Sequence, residues 1–301
     1  MSEERFVTPL KAGLLIVAIA YFLFTLHATF VLSWIGEWEF LAANNPQVAT
    51  WIFITDIQAY VFLVFRFIAG IVAVSAAILY FAKKGLPQST TYKLLRVIII
   101  FEGLYWLGLL TSGIWGSLPT SNGFNIVFLL NTGLPCLVGS IGIPVSLFLL
   151  AYKLSPNKPA KAAIKWALIA GLFYVLTLWL NNTGMWITTV LDKGTDWLFT
   201  SPESLVSFAS TVFGLLALVI YTAYFAKKSS GTQDWAQLKL RAIGGIVTAL
   251  GMFFLWNYLT WIFFGGWNEW YAWILGHNLD LWMLSLPLVG LPLLFHNKAT
   301  K

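Results

Sequence analysis

Three ionisable residues lie inside long apolar runs of the sequence: His27, Arg66 and Glu102. A titratable group at bilayer depth is costly, and by default it marks a functional candidate. At a rise of about 1.5 Å per residue, Arg66 falls about 13 Å below the outer end of its run, and Glu102 about 12 Å above the inner end of its own. Across a hydrocarbon core of about 30 Å, the two levels then differ by only about 5 Å. Both side chains are long enough to meet across that gap. His27, about 12 Å below the outer end of the first run, sits near the level of Arg66. Such a cluster suits a quinone head group or a proton path. The simpler chemistry is structural: Arg66 and Glu102 neutralise one another while His27 bonds a neighbouring carbonyl.

Other chemistries can be tested by counting. A membrane b-haem held by two histidines needs both at compatible depth facing one cavity. The chain has three histidines, with His277 on the outer side and His296 at the inner end of the last run. A His27–His277 pair would require the last outer loop to fold inward, so haem is expected on a partner subunit. The single cysteine, Cys136, permits no internal disulfide and no cysteine-based metal site. No Gly-rich phosphate loop, Ser/His/Asp arrangement or HExxH sequence occurs, and no lysine lies deep in the last run to hold retinal.

The elements that position these residues follow from composition. Of 301 residues, 59% are hydrophobic and 10% charged, with a mean hydropathy of +0.79. Soluble domains carry about 25% charged residues, so a water-soluble globule is excluded. The 16 tryptophans suit two interfacial belts. Spans of about 20 apolar residues fall at 12–35, 57–82, 94–115, 124–152, 163–190, 204–226, 241–264 and 280–296. The expected fold is all-α: a polytopic bundle of eight transmembrane helices. The first run is too long for a signal-peptide core and lacks a cleavage site, so no cleavable leader is expected.

Orientation follows from the lysines and arginines. In an eight-pass arrangement 16 of the 18 fall on one face, with only Arg66 and Lys193 elsewhere. The basic face is cytoplasmic by the positive-inside rule, which places both termini in the cytoplasm and the chain in the cell membrane. The same placement explains the net charge of +6 without nucleic acid as a partner.

Internal repetition is visible. Tyr80-Phe81-Ala82-Lys83-Lys84 returns as Tyr224-Phe225-Ala226-Lys227-Lys228, each ending an apolar run. Trp34, Trp115, Trp186 and Trp267 recur at the outer ends of the rising helices. These marks suggest two parallel four-helix halves, 1–155 and 156–301, although interfacial Trp and inner Lys arise in any polytopic protein. Gly/Pro-interrupted runs at 133–144 and 287–292 stand in the fourth and eighth helices. Corresponding breaks in two halves point to a transporter site, whereas small residues also serve close helix packing. The sequon Asn181-Asn182-Thr183 falls within a span and is expected to be unused.

The outer segments 36–56, 191–203 and 265–279 combine aromatics with carboxylates. Glu37, Trp38 and Glu39 in the first, and Trp267, Glu269 and Trp270 in the last, fit a docking surface for an extracytoplasmic protein, since aromatics are enriched at interfaces. In size and number of passes the chain is similar to the hydrophobic membrane partner subunit of archaeal b-type respiratory cytochromes (the cytochrome b558/566 type). It is similar in pass number to the quinol-oxidising anchors of molybdopterin reductases. The likeness covers helix count and length. It implies a membrane subunit in an electron-transfer complex, with a quinone as ligand and a cytochrome partner carrying the haem. The other class of function the residues support is secondary transport of a small, mostly apolar solute.

Overall fold

A computed structural model of the chain describes residues 3–30, 46–82, 87–110, 126, 129–155, 160–199, 202–227, 235–265 and 281–295. Among these residues all regular structure is helical. Helices α1 (Glu3–Phe30), α2 (Pro46–Ala82) and α3 (Gln88–Gly108) are followed by a π-helical turn, Leu129–Gly133, that runs into α4 (Leu134–Lys153). Helix α5 (Ala160–Lys193) leads through a 3-10 turn, Thr195–Phe199, to α6 (Pro202–Ala209). A second π turn, Ser210–Gly214, joins α6 to α7 (Leu215–Lys227). The last elements are α8 (Trp235–Gly265), α9 (Leu281–Ser285) and α10 (Pro287–Leu294).

Six of these stretches are long and apolar enough to cross a bilayer: Thr8–Leu26, Val61–Phe81, Leu129–Lys153, Ala162–Lys193, Ser204–Lys227 and Gln237–Leu259. This is the mark of an integral membrane protein, because a helix satisfies its own backbone hydrogen bonds where water is absent. Two of the eight expected spans are not among them. Of the expected span 94–115, the described residues reach only 110, and the helix there is α3, Gln88–Gly108. The last span is broken at Leu286, where Pro287 starts a new helix, leaving the shorter apolar piece Trp282–Leu294. The outer loop expected at 36–56 is also shorter than its sequence suggested: Asp56 interrupts the hydropathy but not the helix, and α2 begins at Pro46.

The 37 residues of α2 and the 34 of α5 exceed the ~20 that a hydrocarbon core requires, so both helices project beyond it or tilt. Helix α5 ends at Gly194, whose φ of 81° is accessible without strain only to glycine. Its N–H closes the helix by donating to the Val190 carbonyl at 2.9 Å.

Packing runs as a circuit. Helix α1 lies against α2, α2 against α3, α3 against α4 and α4 against α5. Helix α5 packs on α7 and α8, α8 on α10, and α10 and α9 return to α1. The largest apolar cluster lies between α5, α7 and α8, formed by Leu168, Val175, Ala226, Ile246 and Leu250. Elsewhere the helices meet through glycine, as expected where lipid offers no hydrophobic drive for association and close backbone approach supplies the contact. A Cβ on Gly244 would lie 2.4 Å from Leu294 N, and one on Gly13 2.4 Å from Leu288 O. Large apolar side chains point outward in quantity, among them Ile16, Leu23, Ile78, Ile141, Phe213 and Ile220. In water such a surface would aggregate; in lipid it is solvated.

Basic residues collect at one end of the bundle. Lys11 lies over the Tyr80 ring at 4.8 Å, Arg96 donates to the Leu154 carbonyl at 2.5 Å, and Lys239 and Lys165 are close enough to repel. Gly194 and the Asn131–Thr188 contact described below mark the opposite end.

Candidate functional site

The interior of the circuit holds the Arg66–Glu102 pair. Arg66 comes from the middle of α2 and Glu102 from α3, and Arg66 Nε donates to Glu102 Oε1 at 3.3 Å. Their side chains are 9% and 20% exposed, so the pair is largely withdrawn from the surface. Aromatic rings enclose the guanidinium: Tyr105 at 4.2 Å, Phe24 at 5.0 Å and Tyr21 at 5.8 Å from ring centroid to Cζ. A cation over aromatic faces contributes about 0.5–2 kcal/mol, most when water is excluded.

The enclosure continues into the second half of the chain. Trp106, the neighbour of Tyr105, meets Tyr174 of α5 edge-on at 5.7 Å. Tyr174 directs its hydroxyl to Met283 Sδ at 3.9 Å. Trp282 meets Tyr21 edge-on at 5.4 Å. Helices α1, α2, α3, α5 and α9 therefore all contribute to one polar, aromatic-walled centre.

Three buried atoms of this centre make no well-formed hydrogen bond: Glu102 Oε2, Tyr21 Oη and Trp282 Nε1. Tyr21 Oη lies close to both charges, near enough for long side-chain hydrogen bonds to Arg66 and Glu102. The set comprises a carboxyl oxygen, a hydroxyl that both donates and accepts, and an indole donor. Buried polar atoms normally have partners, so these atoms retain unused donor and acceptor capacity.

Helix α1 carries His27, whose side chain lies outside the described residues. The outer docking candidates Glu37, Trp38, Glu39, Trp267, Glu269 and Trp270 also lie outside them. The neutral residues of the second half have structural partners. Asn181 donates to the Asn131 carbonyl at 3.0 Å, Asn182 to Leu178 O at 2.8 Å and Asn257 to Phe253 O at 2.9 Å. Asn131 in turn donates to Thr188 Oγ1 at 3.1 Å. Trp179 Nε1 reaches Val212 O at 3.0 Å. Side chains of α5 thus satisfy carbonyls in both π turns, where the regular hydrogen-bond ladder is interrupted.

The Gly/Pro runs are taken up by packing. Gly139, Ser140, Gly142, Pro144 and Ser146 are buried in α4. A Cβ on Gly142 would meet the Phe173 ring at 2.2 Å, and one on Gly139 would meet Thr177 at 3.1 Å. Cys136 is a free, partly buried thiol. Among the described residues no three His, Cys, Asp or Glu side chains gather to hold a metal.

Sequence reasoning had no means to select Tyr21, Tyr105, Tyr174 or Trp282. Aromatics make up 17% of the chain, so these four do not stand out from the rest. Comparison with known protein families, curated proteins and solved structures gives no match. Fold and site define the class: an all-helical membrane protein with a charged, aromatic-walled centre.

Proposed function

We propose that the chain is an integral subunit of a respiratory electron-transfer complex that takes a quinol head group at the Arg66–Glu102 centre and anchors an extracytoplasmic redox partner through its outer segments. The observation that supports this reading is the unpartnered Glu102 Oε2 beside an arginine in an aromatic enclosure. A quinol hydroxyl can donate to that oxygen while its ring lies against Tyr105 or Phe24. Oxidation of the quinol releases two protons and two electrons. Glu102 is placed to accept one proton, and Arg66 Nε holds the other carboxylate oxygen in position. The second proton would leave to the aqueous outer face, and a haem carried by the partner would take the electrons one at a time. The indole N–H of Trp282 can then donate to the carbonyl oxygen of the quinone formed.

Purification from the native membrane in mild detergent tests this reading. A stoichiometric cytochrome partner and a haem band in the reduced-minus-oxidised spectrum are expected. A lone, colourless protein contradicts it and turns attention to transport, which flux through the protein alone in liposomes would establish.

The proposed topology, eight passes with both termini cytoplasmic, is tested by labelling. In a Cys136→Ser background, single cysteines replacing Lys153 and Lys227 should react with an impermeant maleimide only after the membrane is opened. One replacing Asp196 should react in intact cells. The reverse pattern overturns the orientation.

A further inference from the structure

At the basic end of the bundle, α3 and α4 border a groove of ≈ 550 Å³ lined by Arg96, Ile100, Phe148, Ala151 and Tyr152. Its floor is apolar: Ala151 is buried and Phe148 packs across Gly103, where a Cβ would meet the ring at 2.6 Å. Its walls open outward, with Ile100 40% and Tyr152 63% exposed. The volume lies within the about 300–1,000 Å³ range of small-molecule sites.

The mouth is cationic. Arg96 stands at the groove, with Nε bonded to the Leu154 carbonyl at the end of α4, which fixes the guanidinium between the two helices. Lys93 is exposed one turn earlier on α3, and residues three and seven apart on a helix share a face, so Lys93, Arg96 and Ile100 form one stripe. Lys153 lies over the ring of the lining residue Tyr152 at 5.2 Å. Apolar depth lined by Arg96, with Lys93 one turn before it on α3 and Lys153 next to the lining residue Tyr152 on α4, is complementary to one bilayer component: an acyl chain ending in an anionic head group.

We propose that this groove binds an anionic phospholipid of the cytoplasmic leaflet, with one acyl chain along Ile100, Phe148 and Ala151 and the phosphate between Arg96, Lys93 and Lys153. The groove reaches within one helical turn of Glu102 on α3 but is lined by neither Arg66 nor Glu102, and it does not depend on the function assigned to that centre. The lipid bridges α3 and α4, so it stabilises that helix pair at its basic end.

Native mass spectrometry of delipidated full-length protein, titrated with phosphatidylglycerol or phosphatidylcholine, tests the proposal. Wild type should bind one phosphatidylglycerol at least about tenfold more tightly than phosphatidylcholine, following the attraction of each rim cation. Lys93→Gln and Lys153→Gln should each weaken phosphatidylglycerol about fivefold and leave phosphatidylcholine unchanged. Ile100→Trp, at a groove position 40% exposed, should abolish the tight site by filling it. Inorganic phosphate should not compete, because it lacks the acyl chain. Equal affinity for the two lipids, an unaltered tight site in Ile100→Trp, or displacement by phosphate alone would each overturn the assignment.

Discussion

Replacing Glu102 by alanine should destabilise the protein by about 3–5 kcal/mol, the cost of leaving a buried charge without its partner. Arg66 would keep its positive charge, since a guanidinium stays protonated in proteins, and its remaining neighbours are aromatic faces at 4.2 to 5.8 Å. Those faces offset only part of the loss. The expected readout is a lower midpoint of thermal unfolding in detergent and reduced yield from the membrane. Arg66→Met combined with Glu102→Leu should recover most of that stability, because replacing both members of a buried pair with apolar groups is often neutral. Thermal unfolding of the single and double variants checks both halves. If the single variant is as stable as wild type, the pair contributes nothing to the fold.

The second large effect is expected at Gly290. A Cβ there would lie 2.3 Å from Thr248 Oγ1, 2.6 Å from Thr248 N and 2.8 Å from Gly244 O. Two of these are backbone atoms of α8 and cannot swing aside, so α10 must separate from α8. Overpacking a tight contact costs about 1–3 kcal/mol, and more where backbone must move. Valine, branched at Cβ, should therefore do more damage than alanine. Since α10 also packs on α1, the loss should open the circuit where the two ends of the chain meet. Proteolysis of α10 in detergent, faster in Gly290→Val than in Gly290→Ala and wild type, is the expected observation. Equal protection in all three would show that α8 and α10 are not in close contact. Gly171, with open space where its Cβ would lie, provides the control position.

Much of this architecture is legible in the sequence, and the reasons are physical. Long apolar runs must be helical in lipid, and lysines stop them at one face, so the helices and their basic end are readable without coordinates. Depth arithmetic also placed Arg66 and Glu102 within reach, and the structure brings them to 3.3 Å. Helix boundaries were harder, because hydropathy reports burial in lipid while helicity depends on backbone bonding. The stretch from Pro46 to Asp56 is polar enough to resemble a loop yet continues α2. The π turns at Leu129–Gly133 and Ser210–Gly214 leave no mark in composition. They depend on tertiary partners such as Asn181 and Trp179, which only the fold supplies. The aromatic wall was illegible for a related reason. Rings lie throughout the chain, and only packing distinguishes Tyr21 and Tyr105 from those that face lipid.

The central claim is that the Arg66–Glu102 centre handles quinol and does more than hold helices together. The Arg66→Met/Glu102→Leu variant separates these roles, since it is expected to keep the fold. The measurement is quinol-driven haem reduction in the purified complex, wild type against this variant. A well-folded double variant that retains its partner but reduces haem about 100-fold or more slowly, the usual scale for losing a general base, is the predicted result. Unchanged reduction in a stable double variant would contradict the claim and leave the pair a structural one.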